Sequence, residues 1–584
     1  MLVFVAAKAA VLAGHPIQAS WWSPAAYLWQ DAAVALIFAV VEFCLGPRRR
    51  TATLLYAVAS LYAAMNIPVA RALATPLTWQ MWRAARGPLA DSLWYYATWQ
   101  NAVLFVGVLG IAGLAPRMLR GMPPAPVLAV LPLLAIGPHA SARIDTRGLD
   151  RNAWTALVHT SMPRMPLART AAGTWRTTGF DHIHDATAFS KFKGAAAGRN
   201  IVLVSLESTA AQYLGVYGAD PEVMPNLSRL SRAAIVFENA YTVYPESIKA
   251  LYSILCSTYP AFDIAAEAYA ETPCRSVAAA LSGAGYRTAL FHSGRFIYLG
   301  MEAVIRGRGF STLEDAGDIG GNHQSSFGVD ETSTVARILD WIDGLPGGQP
   351  FFVTYLPIAG HHPYETPSPG PFPEKNEYDR YRNALHYGDA SLGSLMDGLR
   401  ARGLEQKTLW MILGDHGEAF GQHEGNYGHT FQLYEENVHV PFLIAAPGLF
   451  TEQIRSSKVV SLLDTAPTVL DLAGLQGPPD YQGRSVLDCE PRMALFFADY
   501  SLGMLGLRDG ASKFIYELES GRSRLYDLDV DRDEKINLAA GNPGQTAWYA
   551  DNLKNWSAEQ KARLHSASKM HALKGDSRAQ ILHR

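Results

Sequence analysis

The apolar residues of this chain are not spread evenly. They collect in the first 140 residues, in runs long enough to matter to a bilayer. Ala25–Leu45 and Leu54–Ala74 approach the ~20 apolar residues that a hydrocarbon core demands of a helix. Leu2–Gly14, Ala102–Ala115 and Pro126–Ile136, with their apolar flanks, complete a set of five expected spans. The first is short, contains Lys8 and lacks a basic leader, which argues against a cleaved signal peptide. Trp21, Trp22, Trp29, Trp94, Tyr95 and Tyr96 fall at the ends of the runs, where interfacial aromatic belts lie. The alternative is a set of buried helices in a soluble domain.

Basic loops set the orientation. Arg48–Arg50 separates spans two and three, and Arg117 and Arg120 separate spans four and five. Under the positive-inside rule both loops are cytoplasmic, which puts everything after Pro138 outside the membrane. Arg83 and Arg86 count against this, unless TWQMWRAAR lies as an amphipathic helix in the interface. The expected organisation is a transmembrane region over 1–138, a juxtamembrane linker over 139–198, a catalytic domain over 199–540 and a helical tail over 541–584. A net charge of −3 leaves no basic footprint, so nucleic acid is not an expected partner. Cys44, Cys256, Cys274 and Cys489 have no metal-ribbon spacing; a Cys256–Cys274 bridge is open to a domain outside the cytosol.

From Asn200 the pattern changes. NIVLVSLES, RTALFHS, PFFVTYLPI, TLWMILGDH and VPFLIAAPG are short apolar runs, and helical stretches such as SVAAALSGAG and DASLGSLMDGLRARG alternate with them. Apolar strands alternating with helices predict an α/β sandwich around a mostly parallel sheet. In such sheets ligands gather beyond the carboxyl ends of the strands. Candidate ligands stand there: Glu207, His292, His361, and Asp415 with His416 in the histidine-rich loop LGDHGEAFGQHEGNYGHT.

These runs, with MPNLSRLSRAAIVFENAYT, GDHGEAFGQH, YEENVHVPFLIAAPG, SLLDTAPTVLDLAGL and LYDLDVDRDEKINLA, resemble the sulfatase family of the alkaline phosphatase superfamily in order and wording. Several apolar spans ahead of such a domain resemble its lipoteichoic acid synthase and phosphoglycerol transferase branch. The resemblance implies an alkaline-phosphatase-like sandwich and an enzyme acting on phosphate or sulfate esters.

The resemblance assigns residues in turn. Placing Pro260 of YPESIKALYSILCSTYP on the family's terminal proline puts Ser247 at the nucleophile position. A helix amino terminus suits an anionic substrate, although a serine there is also a common N-cap. The family signal that directs conversion of the nucleophile to formylglycine is missing, because Lys249 and Leu251 occupy its positions. Ser247 is therefore expected to act as a hydroxyl, with Lys249 taking over the absent arginine's work on the anion. Glu207, Ser247, Asp415 and His416 match the metal ligands, and this mixed set suits one Mn²⁺, Zn²⁺ or Mg²⁺ ion in preference to Ca²⁺. His361 and His429 are the expected proton donors, and His292 and Arg295 the expected substrate contacts; His423 and His362 are assigned to the surrounding scaffold as readily as to the site. RFIYLG replaces the tryptophan–asparagine–arginine signature of lipoteichoic acid synthases, which puts glycerol phosphate in question as the group handled. The expected substrate is a lipid- or glycan-linked phosphate ester. The alternatives are a sulfuric ester hydrolase acting on extracellular glycans, and a catalytically silent membrane scaffold.

Overall fold

The computed structural model describes the chain apart from residues 16, 18, 47, 85–97, 119–129, 165–174, 176, 181–188, 324–326 and 583–584. Trp94, Tyr95, Tyr96, Arg86, Arg120 and the start of the fifth apolar run lie outside the described residues.

Eight strands build the central sheet. In chain order they are β1 (Asn200–Leu206), β2 (Ala234–Tyr241), β3 (Arg287–His292), β4 (Thr312–Glu314), β5 (Phe351–Leu356) and β6 (Thr408–Gly414). A short hairpin of β7 (Ala419–Phe420) and β8 (Tyr427–Gly428) follows, then β9 (Phe442–Ala445) and β10 (Ile454–Ser461) rejoin the sheet. The spatial order is β10-β2-β9-β6-β1-β5-β3-β4, parallel except where β9 runs against β2 and β6. This is the mostly parallel α/β sheet expected from the apolar runs. Central β1 is buried at every position, and its alternate residues feed two cores. Ile201 and Leu203 pack with the Ser247–Cys256, Val277–Gly283 and Thr465–Leu472 helices, while Val202, Val204 and Leu206 pack with Glu331–Asp343 and Glu377–Ala401.

A second, four-stranded antiparallel sheet was not foreseen: β11 (Ala494–Ala498), β12 (Met504–Asp509), β13 (Ser512–Glu517) and β14 (Ser523–Asp527). The Pro543–Leu582 helix packs on it.

Among the described residues three helices are long and apolar enough to cross a membrane: Ser23–Leu45, Arg50–Leu73 and Trp99–Met118. Only 11% and 17% of the first and third are buried within the protein, so their apolar faces need a nonaqueous surround. Leu2–Leu12 has 11 residues and reaches about half of a ~30 Å hydrocarbon core. Lys8 in it is buried, donating to the carbonyls of Leu149 (3.0 Å) and Arg151 (2.8 Å) and pairing with Asp31 at 3.5 Å.

The helical region is tied to the sheets by charge. Arg522 and Arg524 of the second sheet's last hairpin pair with Asp145 at 2.8 and 3.0 Å, and Arg151 pairs with Glu519 at 3.1 Å. Arg147 bonds Glu424, in the glycine-rich loop that follows β6. The start of Ser23–Leu45 meets the end of Val130–Arg143 through Trp29 and Ser141, 2.9 Å apart. Arg48 therefore lies a helix length away from the sheets.

Candidate active site

β1 and β6 run parallel with Leu206 opposite Gly414, and the Asp415 N–H donates to the Leu206 carbonyl at 3.1 Å. Register alone therefore sets Glu207 beside Asp415 and His416 at the carboxyl edge of the sheet. Ser208 takes a left-handed φ of 52°, which aims its N–H at Asp415 Oδ1 (3.0 Å) and its hydroxyl at Glu207 Oε1 (2.9 Å). Gly360 passes so close to the Glu207 carbonyl that no side chain fits between them.

Ser247 opens the Ser247–Cys256 helix as its first residue and does not cap it. The cap is Glu246, whose carboxylate accepts from the N–H groups of Ile248 and Lys249. The N-cap role that a serine commonly holds is thus already filled, and the Ser247 hydroxyl turns to the strand ends. It donates to Glu207 Oε2 at 2.9 Å and stands 3.1 Å from His416 Nε2. His416 Nδ1 donates to the Gly417 carbonyl at 2.9 Å, so the neutral ring presents the lone pair of Nε2 to Ser247.

Burial, and then the nearby His429, push the His416 imidazole down to about 4, which keeps it neutral. Burial also drives the Asp415 carboxyl well above its usual range, reinforced by the Glu207 charge. Burial acts on Glu207 in the same sense, but the imidazoles of His416, His361 and His429 and the Ser247 hydrogen bond hold it down to about 2. Ligand atoms of Glu207, Asp415 and His416 lie within 4.8 Å of one another, all three residues buried. Two carboxyl groups, an imidazole lone pair and the Ser247 hydroxyl thus converge at the edge of the sheet. That donor set fits a divalent ion, which relieves the repulsion between the carboxylates.

The β7–β8 hairpin completes the site. Its pairing of Ala419 with Gly428 brings Glu418 against His429, whose Nδ1 donates to Glu418 Oε2 at 2.7 Å. Tyr364 donates to the other oxygen of Glu418 at 3.0 Å. Burial disfavours charge on His429, yet the Glu418 carboxylate outweighs it and raises the imidazole above its ordinary value. The His429 ring lies 4.2 Å from that of His416.

A cleft of about 100 Å³ opens over these groups, lined by Glu207, Glu246, Ser247, His292, Arg295, His361 and His429. His292 donates through Nδ1 to the Leu356 carbonyl at 3.0 Å, and any side chain on Gly294 would sit 2.5 Å from its Nε2. His361 turns Nδ1 to the His362 carbonyl at 2.6 Å and packs on Phe327, with ring centres 4.3 Å apart.

Lys249 is placed elsewhere. Its ammonium is buried against Asp499 at 3.1 and 3.3 Å and lies 4.1 Å from the Tyr244 ring centre, and it is not among the cleft's lining residues. His423 stacks on Tyr434 and pairs with Glu436 at 2.8 Å, outside the cleft. His362 points to Glu377 at 3.9 Å. Glu246 and Glu418 were missed by sequence reasoning. The signal for Glu418 was the glycine-rich turn that folds GDHGE back on YGHT.

The Sulfatase family model matches residues 199–475. Arylsulfatase K of Bos taurus is 32% identical over 232 residues, covering 34% of this chain and 42% of that protein. Lipoteichoic acid synthase 2 of Bacillus subtilis is 24% identical over 362 residues, covering 58% of this chain and 55% of that protein. The matches thus span about half the length of these relatives. Among solved structures, the lipoteichoic acid synthase LtaP from Listeria monocytogenes superposes with a TM-score of 0.52 at 18% identity, covering 66% of this chain and 96% of that one. That likeness is one of fold: an alkaline-phosphatase-like α/β sandwich around a mostly parallel sheet. Glu207, Ser247, Asp415 and His416 all lie within the segment that matches the sulfatase family model.

Proposed function

We propose that this protein is a membrane-anchored, metal-dependent enzyme that uses Ser247 as a nucleophile on a phosphate ester at the extracytoplasmic face. The observation that carries the reading is the Ser247 hydroxyl, set between Glu207 Oε2 and His416 Nε2 at a helix amino terminus that Glu246 already caps.

Glu207, Asp415, His416 and Ser247 would hold the ion, which supplies Lewis acidity and neutralises charge on the transferring group. The chain's own residues account for the rest. Glu207, whose Oε2 already accepts the Ser247 hydrogen bond, takes the Ser247 proton as Oγ bonds to phosphorus and the bond to the first leaving oxygen breaks. His429, kept protonated by Glu418, lies where it can give that oxygen its proton. His292, His361 and Arg295 surround the remaining anionic oxygens. Water or an acceptor hydroxyl then attacks the phosphoseryl ester, its proton passes back to the site, and Ser247 is released. Phosphoryl transfer depends mostly on such positioning and charge stabilisation.

The Cys256–Cys274 disulfide supports placement outside the cytosol, where such bonds persist. Sulfate ester hydrolysis is the second reading, favoured by the 32% identity to arylsulfatase K. A substrate panel separates them. The full-length protein is expected to turn over aryl phosphodiesters, to lose that turnover on chelation and to leave aryl sulfates intact. Preferential hydrolysis of the sulfate would put the second reading first. No turnover of either would favour the silent scaffold.

A further inference from the structure

The proposed chemistry leaves one feature of the cleft unused. The segment Arg295–Gly300 reads RFIYLG, and two of its aliphatic side chains face outward: Ile297 is 73% exposed and Leu299 is 39% exposed. Single exposed aliphatics are ordinary. Leu299 lines the cleft with Tyr298, Met301, Phe327 and Ile358, and Ile297 adjoins that lining as the residue before Tyr298. Leu299 also holds a left-handed backbone (φ 47°, ψ 25°) that a bulky side chain rarely adopts and that glycine or asparagine would take with less strain. Keeping a leucine in that conformation at a cleft mouth points to a use for its side chain.

The cleft is graded from end to end. Glu207, Ser247, His361 and His429 make its floor polar, and RFIYLG makes its mouth apolar. Aromatic contacts join the two: the Tyr298 ring centre is 6.0 Å from that of Phe327, which packs on His361. The mouth is also close to the helical region. A side chain on Gly300 would meet Glu267 Cγ at 3.1 Å, and Glu267 pairs with Arg83 at 3.3 Å. Arg83 lies in the Trp79–Ala84 helix, a few residues after the membrane-length helix Arg50–Leu73. The apolar mouth therefore lies beside Glu267, the partner of Arg83, which stands ten residues beyond the end of that helix.

We propose that Ile297, Tyr298 and Leu299 form a lip that takes the hydrocarbon portion of a membrane-lipid phosphate ester, while His292, His361 and His429 hold its charged group. The headgroup half of this statement rests on the phosphate ester reading above; the lip rests on exposure, continuity and position. A water-soluble ester would have no use for an apolar mouth on the side of the helical region.

The test uses the full chain reconstituted in lipid nanodiscs. In a Cys44→Ser, Cys489→Ser background, which removes the two free thiols, Ile297→Cys is labelled with an environment-sensitive fluorophore. Acyl chains brominated along their length are expected to quench this label. They are expected to leave a label at Arg287→Cys unquenched, since Arg287 is exposed at the opposite, amino end of β3. An unquenched label at Ile297 overturns the lip. A kinetic arm adds the Ile297→Ser, Leu299→Ser double variant. It is expected to raise KM for a long-chain phosphodiester about ten-fold and to change KM for the short bis(p-nitrophenyl) phosphate several-fold less, with kcat little altered on either. Equal losses on both substrates, or no change on either, would also overturn it. The two readings fail separately: quenching without phosphodiester turnover removes the reaction and keeps the lip, and turnover without quenching removes the lip alone.

Discussion

At the residue scale the argument turns on protons and lone pairs. Ser247 has one proton for two acceptors, and Glu418 decides how firmly His429 keeps its own. A base whose pKa is raised stays protonated to higher pH, so the acid form of His429 persists above the ordinary imidazole value of ~6.5. If His429 is the proton donor, the basic limb of the pH–rate profile lies above that value. Glu418→Gln removes the charge that holds the proton and is expected to move this limb to lower pH. It would cost roughly ten- to a hundred-fold in kcat at pH 8 and much less at pH 6. A uniform loss at all pH values would assign Glu418 to folding alone. Among these residues Glu207, His292, Asp415 and His416 were legible in the sequence, because each stands where an apolar run ends. Lys249 was not: its fate depends on Asp499, two hundred and fifty residues away in sequence, and no local pattern announces that partner.

At the scale of elements, the strands of the central sheet were legible because buried parallel strands read as unbroken apolar runs. β11–β14 were not singled out. β13 buries Lys513 and Glu517 along with Phe514 and Ile515, and the lysine's charge is met inside the fold by Glu435 and Glu534 at 2.8 and 2.9 Å. Such a strand has no apolar signature. The nucleophile helix is fixed at both ends, by Glu246 at its start and by the Cys256–Cys274 disulfide at its last residue. The bridge closes a loop of 18 residues, and the chain-entropy argument gives it about 3 kcal/mol of stability. Cys256→Ser with Cys274→Ser is expected to lower the unfolding free energy, read from the shift in the chemical-denaturation midpoint, by roughly that value. A midpoint unchanged by the double substitution, or by a thiol reductant, would show that the bridge adds nothing to the fold.

At the scale of the whole molecule, three of the helices among the described residues are long and apolar enough to cross a membrane, and the start of the fifth expected run lies outside the described residues. The orientation proposed from the basic loops makes a prediction of its own. The amino end of Ser23–Leu45 and the carboxyl end of Val130–Arg143 lie together on the side of the sheets, and Arg48 lies at the far end. A reporter fused after Arg143 is therefore expected to be active only outside the cytoplasmic membrane; cytoplasmic activity would reverse the orientation and strand the site from lipid-linked substrates on the outer face. The central claim, however, is chemical, and one measurement on the intact protein meets it directly. Mass spectrometry of the peptide containing Ser247 reads both its resting state and any covalent adduct after rapid acid quenching during phosphodiester turnover. The account predicts an unmodified serine at rest and a phosphoryl ester on Ser247 in the quenched sample, absent in Ser247→Ala. An aldehyde or its hydrate at residue 247, or turnover with no adduct and full activity in Ser247→Ala, would contradict it.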